Sequence, residues 1–234
     1  MTPTITSANK ASVMLLAAGR GERLRPLTDH TPKPLLALHG EPLIVHHLKR
    51  LARCGVERVV INLGWLGDQI QATLGDGAQF GLRIAYSQEP PGALETAGGI
   101  HHALPLLNAD HFVVLSTDVL TDYPMAQLLH HQPDKLAHLI MVDNPSHHPA
   151  GDFTVIDGQL YPAQPQSTLT FSGLAVFKSV MFETLTPGWR PLRPVLEAAI
   201  AAGEVTAEHH HGRWLDLGTE ARLDAAQRWP ALPE

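Results

Sequence analysis

The densest run of residues able to do chemistry in this 234-residue chain is Leu16-Ala-Ala-Gly-Arg-Gly-Glu-Arg-Leu-Arg-Pro-Leu-Thr-Asp-His-Thr-Pro-Lys-Pro-Leu35. Gly19 and Gly21 carry no Cβ, so backbone N–H groups there can approach an anion closely. Arg20, Arg23, Arg25 and Lys33 set four positive charges against Glu22 and Asp29. The result is a locally positive loop on a chain of formal net charge −6, which suits a phosphate ligand. Two common phosphate loops do not fit. The dinucleotide fingerprint needs a third glycine where Leu24 stands, and the Walker motif needs Gly-Lys-Ser/Thr, whereas Lys33 lies between two prolines. Taken alone, the glycines and arginines also read as a solvated loop.

A second candidate group is Asp118, which closes the apolar run Val113-Val-Leu-Ser-Thr-Asp. A carboxylate at such a strand end can face a ligand, or simply make a turn. Asp122 is the runner-up ligand, with a capping role the more ordinary reading. In Leu94-Glu-Thr-Ala-Gly-Gly, Gly98 either permits close approach of a ligand or packs the start of a helix. The fifteen histidines include His46-His47, His101-His102, His130-His131, His147-His148 and His209 to His211. None has zinc-site spacing to a cysteine or carboxylate, so they read as solvated or helix-face residues.

The elements that must position these groups alternate. Ser12 to Ala18 is an apolar run closed by glycine, the pattern of a strand buried on both faces. Helical spacing from Pro42 to Gly55, a strand at Arg58 to Leu63, a helix over Leu66 to Leu74 and a strand over Leu82 to Ser87 follow. A helix over Ala97 to Leu107 and a strand over Phe112 to Ser116 complete the series. Four alternations predict right-handed βαβ units. Leu136 to Val142, Asp152 to Ile156 and Leu169 to Phe177 read as strands of a mixed sheet. Then come a helix over Leu192 to Ala202, a strand over Glu204 to His209, the segment Trp214-Leu-Asp-Leu-Gly and a helix over Glu220 to Arg228. The expectation is an α/β fold, a single Rossmann-like domain with a mostly parallel mixed sheet flanked by helices. Residues 1–12 are expected to fray and 13–230 to form the domain, its sugar-binding part within about 136–215.

Composition narrows the function classes. Hydrophobic residues at 44% and charged residues at 17% allow one substantial core. The negative net charge argues against nucleic acid as a partner. No apolar run reaches the roughly 18 residues that span a bilayer, and the first eleven residues lack a signal-like apolar core. The lone Cys54 cannot form an internal disulfide. These features predict no membrane partner and a cytoplasmic, reducing compartment; nothing indicates the oligomeric state.

The complete loop string resembles the signature of the nucleoside-diphosphate-sugar pyrophosphorylases, Gly-x-Gly-x-Arg-Leu-x-Pro-Leu-Thr followed by Pro-Lys-Pro-Leu. That resemblance implies the nucleotidyltransferase form of the glycosyltransferase-A-like fold, a nucleoside triphosphate and a sugar 1-phosphate as substrates, and Mg²⁺. It makes Arg23, Lys33 and Asp118 the catalytic candidates, and Asp118 with Asp216 the metal pair. It assigns Ala17, Ala18, Gly19, Gly21, Arg23, Lys33, Gln88, Thr96 and Gly98 to the nucleotide, with Glu89 beside them. Glu95, Asn144, Gly151, Asp152, Ser172 and Gly173 fall to the sugar. Two departures stand out. Ser116-Thr117 replaces the usual Asn-Gly before the aspartate, so Thr117 occupies a place where positive φ is common, and no Glu-Lys-Pro triplet lies between Asp152 and Ser172.

Within the family, Leu-Glu-Thr, Asp143-Asn-Pro-x-His-His, Gly151-Asp-Phe, Thr170-Phe-Ser-Gly and Glu208-His-x-x-Gly-x-Trp resemble the N-acetylmuramate-1-phosphate uridylyltransferases. This implies UTP and N-acetylmuramic acid 1-phosphate as substrates, in bacterial cell-wall recycling. Mannose- or glucose-1-phosphate nucleotidyltransferase activity remains the alternative, and a catalytically silent sugar-nucleotide binding module the alternative of another class.

Overall fold

The structure, a computed structural model, describes residues 12–92, 94–164 and 167–229. The segment expected to fray lies outside these residues apart from Ser12, which opens β1 (Ser12–Leu16). Val13, Met14 and Leu15 at its centre are fully buried, as a strand covered on both faces requires. After it come α1 (Leu27–His30), the short β2 (Ala37–Leu38) and β3 (Glu41–Pro42), and α2 (Leu43–Arg53). The alternation continues through β4 (Arg58–Leu63), α3 (Gly67–Leu74), β5 (Arg83–Gln88), α4 (Glu95–Leu107) and β6 (His111–Ser116). Beyond it lie β7 (Val119–Thr121), α5 (Met125–His130), β8 (Ala137–Val142), β9 (Phe153–Ile156), β10 (Gln159–Pro162) and β11 (Thr168–Lys178). The chain then runs through α6 (Val180–Glu183), α7 (Leu192–Ala201), β12 (Val205–His210), β13 (Trp214–Asp216) and α8 (Glu220–Ala226).

The main sheet has the order β5-β4-β1-β6-β11-β8-β12-β10-β9. From β5 to β6 it is parallel, as the alternation predicts. The second half is more antiparallel than expected: β11 runs against both β6 and β8, and β9 and β10 form a hairpin. Hairpin connections there replace the helical crossovers that parallel strands need. Elements α5, α6 and β10 are too short to display a period of 3.6 or 2 in the sequence.

Two apolar layers sandwich the sheet. On one face Ile44, Leu48 and Leu51 of α2 and Ile70 and Leu74 of α3 pack on Val13, Leu15 and Ile61. On the other, Ile100 and Ala103 of α4, Phe182 of α6 and Leu196 and Ile200 of α7 pack on Met14, Val114 and Phe177. A separate cluster joins Leu24 and Leu36, in and just after the loop that follows β1, to Leu217, Leu223 and Ala226 near the chain's far end. Each such buried leucine contributes roughly 1.5–3 kcal/mol, so this cluster is what holds α8 and the segment before it against the loop. Among the described residues no helix is long and apolar enough to cross a membrane.

Two histidines are buried in this framework. Burial, reinforced by the charge of Arg50, pulls the His47 ring down to about 4, and burial together with His131 does the same for His138. The unfolded chain protonates both near 6.5, so between these values it binds more protons than the folded one. The stability they contribute is complete above about 6.5 and is lost as pH falls toward 4. Denaturant titrations across that window should show falling stability, with a shallower pH slope in His138→Gln and a shallower one still in the His47→Gln/His138→Gln double variant. An unchanged slope in both variants would contradict the assignment.

Candidate active site

The chain proceeds from β1 to β4 and β5 on one flank, then returns to β6 on the other. This reversal opens a crevice at the carboxyl ends of β1 and β6, the usual ligand position in such sheets. A cavity of about 610 Å³ lies there, lined by Ala17, Ala18, Gly19, Gly21, Arg23, Lys33, Glu95, Thr96 and Asp118 among others.

The loop after β1 is braced from within. Gly21 has φ +69°, and a Cβ there would meet Thr28 Cγ2 at 3.0 Å. The Thr28 hydroxyl donates to the Gly21 carbonyl at 2.9 Å. The Thr28 carbonyl accepts from Arg20 at 3.0 Å and from the Trp65 indole at 2.9 Å. Arg20 also pairs with Asp29 at 2.9 Å and stacks 3.5 Å from the Trp65 ring centre. Arg25 reaches Asp29 at 2.9 Å and Glu22 at 3.7 Å. Both loop anions are thus matched by Arg20 and Arg25. Arg23 forms no ion pair among the described residues and lines the cavity, and Lys33 Nζ bonds Asp118 Oδ2.

Beside the loop, the Ala17 N–H donates to Asn62 Oδ1 at 2.8 Å, and Asn62 Nδ2 donates to Glu89 Oε1 at 2.8 Å. Burial pushes the Glu89 carboxyl above its usual range despite that bond. Glu89 with Gln88, Ala18, Gly64 and Trp65 lines a neighbouring recess. Gly64 is required there, because a Cβ would lie 2.6 Å from the Ala18 carbonyl oxygen.

Asp216 reaches the same place from the far end of the chain. Strand β13 pairs antiparallel with β7, setting Asp216 opposite Val119, and Leu217 N–H donates to the Asp118 carbonyl at 2.7 Å. Asp216 Oδ1 lies 2.7 Å from Arg222 of α8 and accepts from Gly218 N–H at 3.2 Å. Asp216 Oδ2 lies 2.7 Å from His147 Nε2, yet this buried oxygen has no aligned hydrogen bond among the described residues. His147 is therefore not merely a solvated histidine. The signal for it was the Asp143-Asn-Pro-x-His-His segment, which carried no assigned role; nothing in sequence spacing pointed to Arg222.

Thr117 resolves the departure from the family turn. Neither Thr117 nor Asp118 has positive φ; Thr117 is buried, and its hydroxyl donates to the Leu16 carbonyl at 2.7 Å. The buried His47 ring lies beside the Thr117 backbone.

A second cavity, continuous in its lining through Arg23, Glu95, Thr96 and Asp118, also includes Asp152, Ser172, Gly173, Arg193 and Asp216. Asp152 accepts from Phe171 N–H at 2.9 Å and contacts His148 at 3.2 Å and Arg193 at 3.4 Å. Gly173, at φ +83°, leaves no room for a Cβ, which would stand 2.8 Å from Ser116 Oγ. Arg193 was not singled out from sequence; an arginine in the first turn of a helix carries no motif.

Three expected contact residues, Gly98, Asn144 and Gly151, are not among the lining of the two cavities. Gly98 is buried against the backbone of Gly188 and Arg190, where a Cβ would sit 2.3 Å from the Gly188 oxygen; its N–H donates to the Arg190 carbonyl. Asn144 spends its amide on Thr168 and Thr170. Gly151, at φ +61°, is pressed against the Asn144 side chain. The runner-up ligand Asp122 likewise lines neither cavity and is held by His210 and Arg213. Burial pushes its carboxyl up, but hydrogen bonds from His210 and Arg213 outweigh burial and hold it below the usual range.

The nucleotidyl transferase family matches residues 12–228. The chain is 48% identical over 221 residues to an N-acetylmuramate alpha-1-phosphate uridylyltransferase of Neisseria meningitidis serogroup B, covering 92% of this chain and 96% of the relative. A protein of the same name from Caulobacter vibrioides is 32% identical over 233 residues, with 92% and 95% covered. The mannose-1-phosphate guanylyltransferase catalytic subunit beta of Xenopus tropicalis is 29% identical, but the chain spans only 60% of its length. A solved structure from Bacillus anthracis, assigned as a glucose-1-phosphate thymidylyltransferase, superposes with a TM-score of 0.83 at 22% identity, covering 93% of this chain and 94% of that one. At that identity the likeness shows the fold.

The Thr117 hydroxyl gives a direct check on this geometry. Thr117→Val should cost about 1 kcal/mol of stability in urea unfolding, because the Leu16 carbonyl loses the shorter of its two bonds from Thr117 and keeps only the 3.4 Å one from the backbone N–H. A change below about 0.3 kcal/mol would show that the bond to Leu16 does not hold the two strand ends.

Proposed function

Because the chain belongs to the nucleotidyl transferase family, we propose that it transfers a uridylyl group from UTP to N-acetylmuramic acid 1-phosphate, releasing pyrophosphate. The observation that carries this reading is the convergence of Lys33, Asp118 and Asp216 between a phosphate loop and a second cavity. The 48% identity to a protein named for that reaction supports the choice of substrates, and the reaction fits cytoplasmic recovery of a cell-wall sugar.

The two aspartates offer hard oxygens, and Asp216 Oδ2 is buried without an aligned hydrogen bond. That donor set fits Mg²⁺, which takes one or two carboxylates and completes its shell with water and phosphate. When bound, the ion would offset negative charge on the phosphates.

The sugar phosphate is already anionic at neutral pH, so its attack on the α-phosphorus needs no side chain to remove a proton. A new bond forms between a sugar-phosphate oxygen and the α-phosphorus as the α–β bridging P–O bond breaks, the electron pair leaving with pyrophosphate. The protein's task is alignment and charge compensation. Lys33 offsets charge at the reacting phosphorus. Arg23, with the amides of the Gly19–Gly21 turn, holds the departing pyrophosphate. Ala18, Gln88 and the Trp65 recess take the base, and Glu95, Asp152, Ser172 and Gly173 face the sugar.

Arg193 supplies what a muramic acid would need and a plain hexose would not. It is a cation on the wall of the sugar cavity, held by Asp152 at 3.4 Å and Glu197 at 2.9 Å. A lactyl carboxylate can share its planar donor fork.

Pyrophosphate release should be measured over a panel of triphosphates and sugar 1-phosphates. The expected best pair is UTP with N-acetylmuramic acid 1-phosphate; turnover restricted to GTP with mannose 1-phosphate, or binding without turnover, would overturn the reading. In Arg193→Met, KM for the muramic acid substrate should rise about tenfold while KM for UTP stays constant. Asp118→Asn and Asp216→Asn should each lose at least about a hundredfold in turnover, with far-UV circular dichroism unchanged. Near-native turnover in either one at low Mg²⁺ would remove the paired carboxylates from the mechanism.

A further inference from the structure

Strands β8 and β12 run parallel, with His209 opposite Met141 and His210 opposite Val142. One step further, Asp143 and His211 leave the two strands side by side. Residues two apart on a strand share a face, so His209 and His211 project together and His210 projects away. His210 is committed elsewhere: its Nε2 lies 2.9 Å from Asp122 Oδ1, and its ring meets Tyr123 edge-on. On the outer face, His209 Nε2 lies 2.9 Å from Asp143 Oδ1, and the His209 and His211 ring centres are 3.9 Å apart. One potential ligand atom from each of Asp143, His209 and His211 lies within 4.8 Å of the other two.

We propose that Asp143, His209 and His211 form a binding site for a borderline transition-metal dication of the zinc class, separate from the acidic pair. Two imidazoles and one carboxylate suit Zn²⁺, Co²⁺ or Ni²⁺ and disfavour Mg²⁺, which selects all-oxygen ligands. Bonds of about 2.0–2.2 Å in a tetrahedral shell set ligand atoms roughly 3.4 Å apart, so the 2.9 Å His209–Asp143 contact must open slightly and His211, whose ligand atom lies within 4.8 Å of both, must adjust to the same ion. The side chains can do this, since Asp143 is 78% exposed and His209 and His211 lie at a strand end. The ion would displace the His209–Asp143 hydrogen bond, with water taking the remaining coordination position. The site also has a consequence for its surroundings. Asp143 begins the segment that delivers His147 to Asp216, and β12 leads through Gly212 into β13, which carries Asp216. A bound ion would cross-link the two segments that enclose that carboxylate.

The full chain, free of any histidine tag, can be titrated with Co²⁺ followed by visible absorption and with Zn²⁺ followed by calorimetry. One saturable equivalent is expected. Both His211→Ala and Asp143→Asn should weaken it at least about tenfold, while Asp118→Asn and His147→Ala bind as the native chain does. The absence of a saturable equivalent, native-like affinity in either ligand variant, or loss of binding in Asp118→Asn would each overturn the proposal. Circular dichroism of the metal-free variants keeps a folding defect from being read as a lost ligand.

Discussion

The parallel pairing of β1 with β6 is the constraint on which the rest of the site depends. Its register sets Leu16 opposite Ser116, so the loop after β1 and the turn bearing Asp118 leave the sheet side by side. The bond from Thr117 to the Leu16 carbonyl extends that pairing one residue past the ladder. Once these ends are fixed, Lys33 and Asp118 meet across the crevice. The β7–β13 ribbon then brings Asp216 to the same point from the last quarter of the chain. Leu217 and Leu223 anchor that distant segment in the cluster beneath the loop.

Electrostatic sorting follows from the same placement. A loop with four cations and two anions could direct any of its positive charges at a ligand. Asp29 and Trp65 take Arg20, and Asp29 and Glu22 take Arg25. These pairs are partly exposed, so each contributes little stability on its own. Their effect is selection: they leave Arg23 on the cavity wall and Lys33 paired with Asp118.

Glycine positions divide by what stands where a side chain would be. At Gly64 and Gly173 the neighbours are the Ala18 carbonyl and Ser116, both part of the crevice wall. At Gly98 and Gly151 the neighbours are the Gly188 carbonyl and Asn144, which shape the wall from behind. Both kinds look alike in a sequence, because each reports only that a Cβ is excluded and not what excludes it. Asn144 is ambiguous in the sequence for a related reason. Its amide can face either a sugar or a backbone, and here Thr168 and Thr170 satisfy it.

Local patterning specifies the first half of the sheet and the glycine-, arginine- and lysine-rich loop after β1. Local signals encode all of these: apolar runs of strand length, helical spacing, and a string of glycine, arginine and lysine that occurs as one contiguous block. Contacts made by chain reversal are not legible in this way. No local period announces that His147 and Arg222 flank Asp216, that Arg193 stands on the wall of the second cavity, or that Asp143 lies beside His211 across two parallel strands. The physical reason is that such neighbours are set by sheet order and strand register, which depend on the packing of the whole core and leave no mark in the residues on either side.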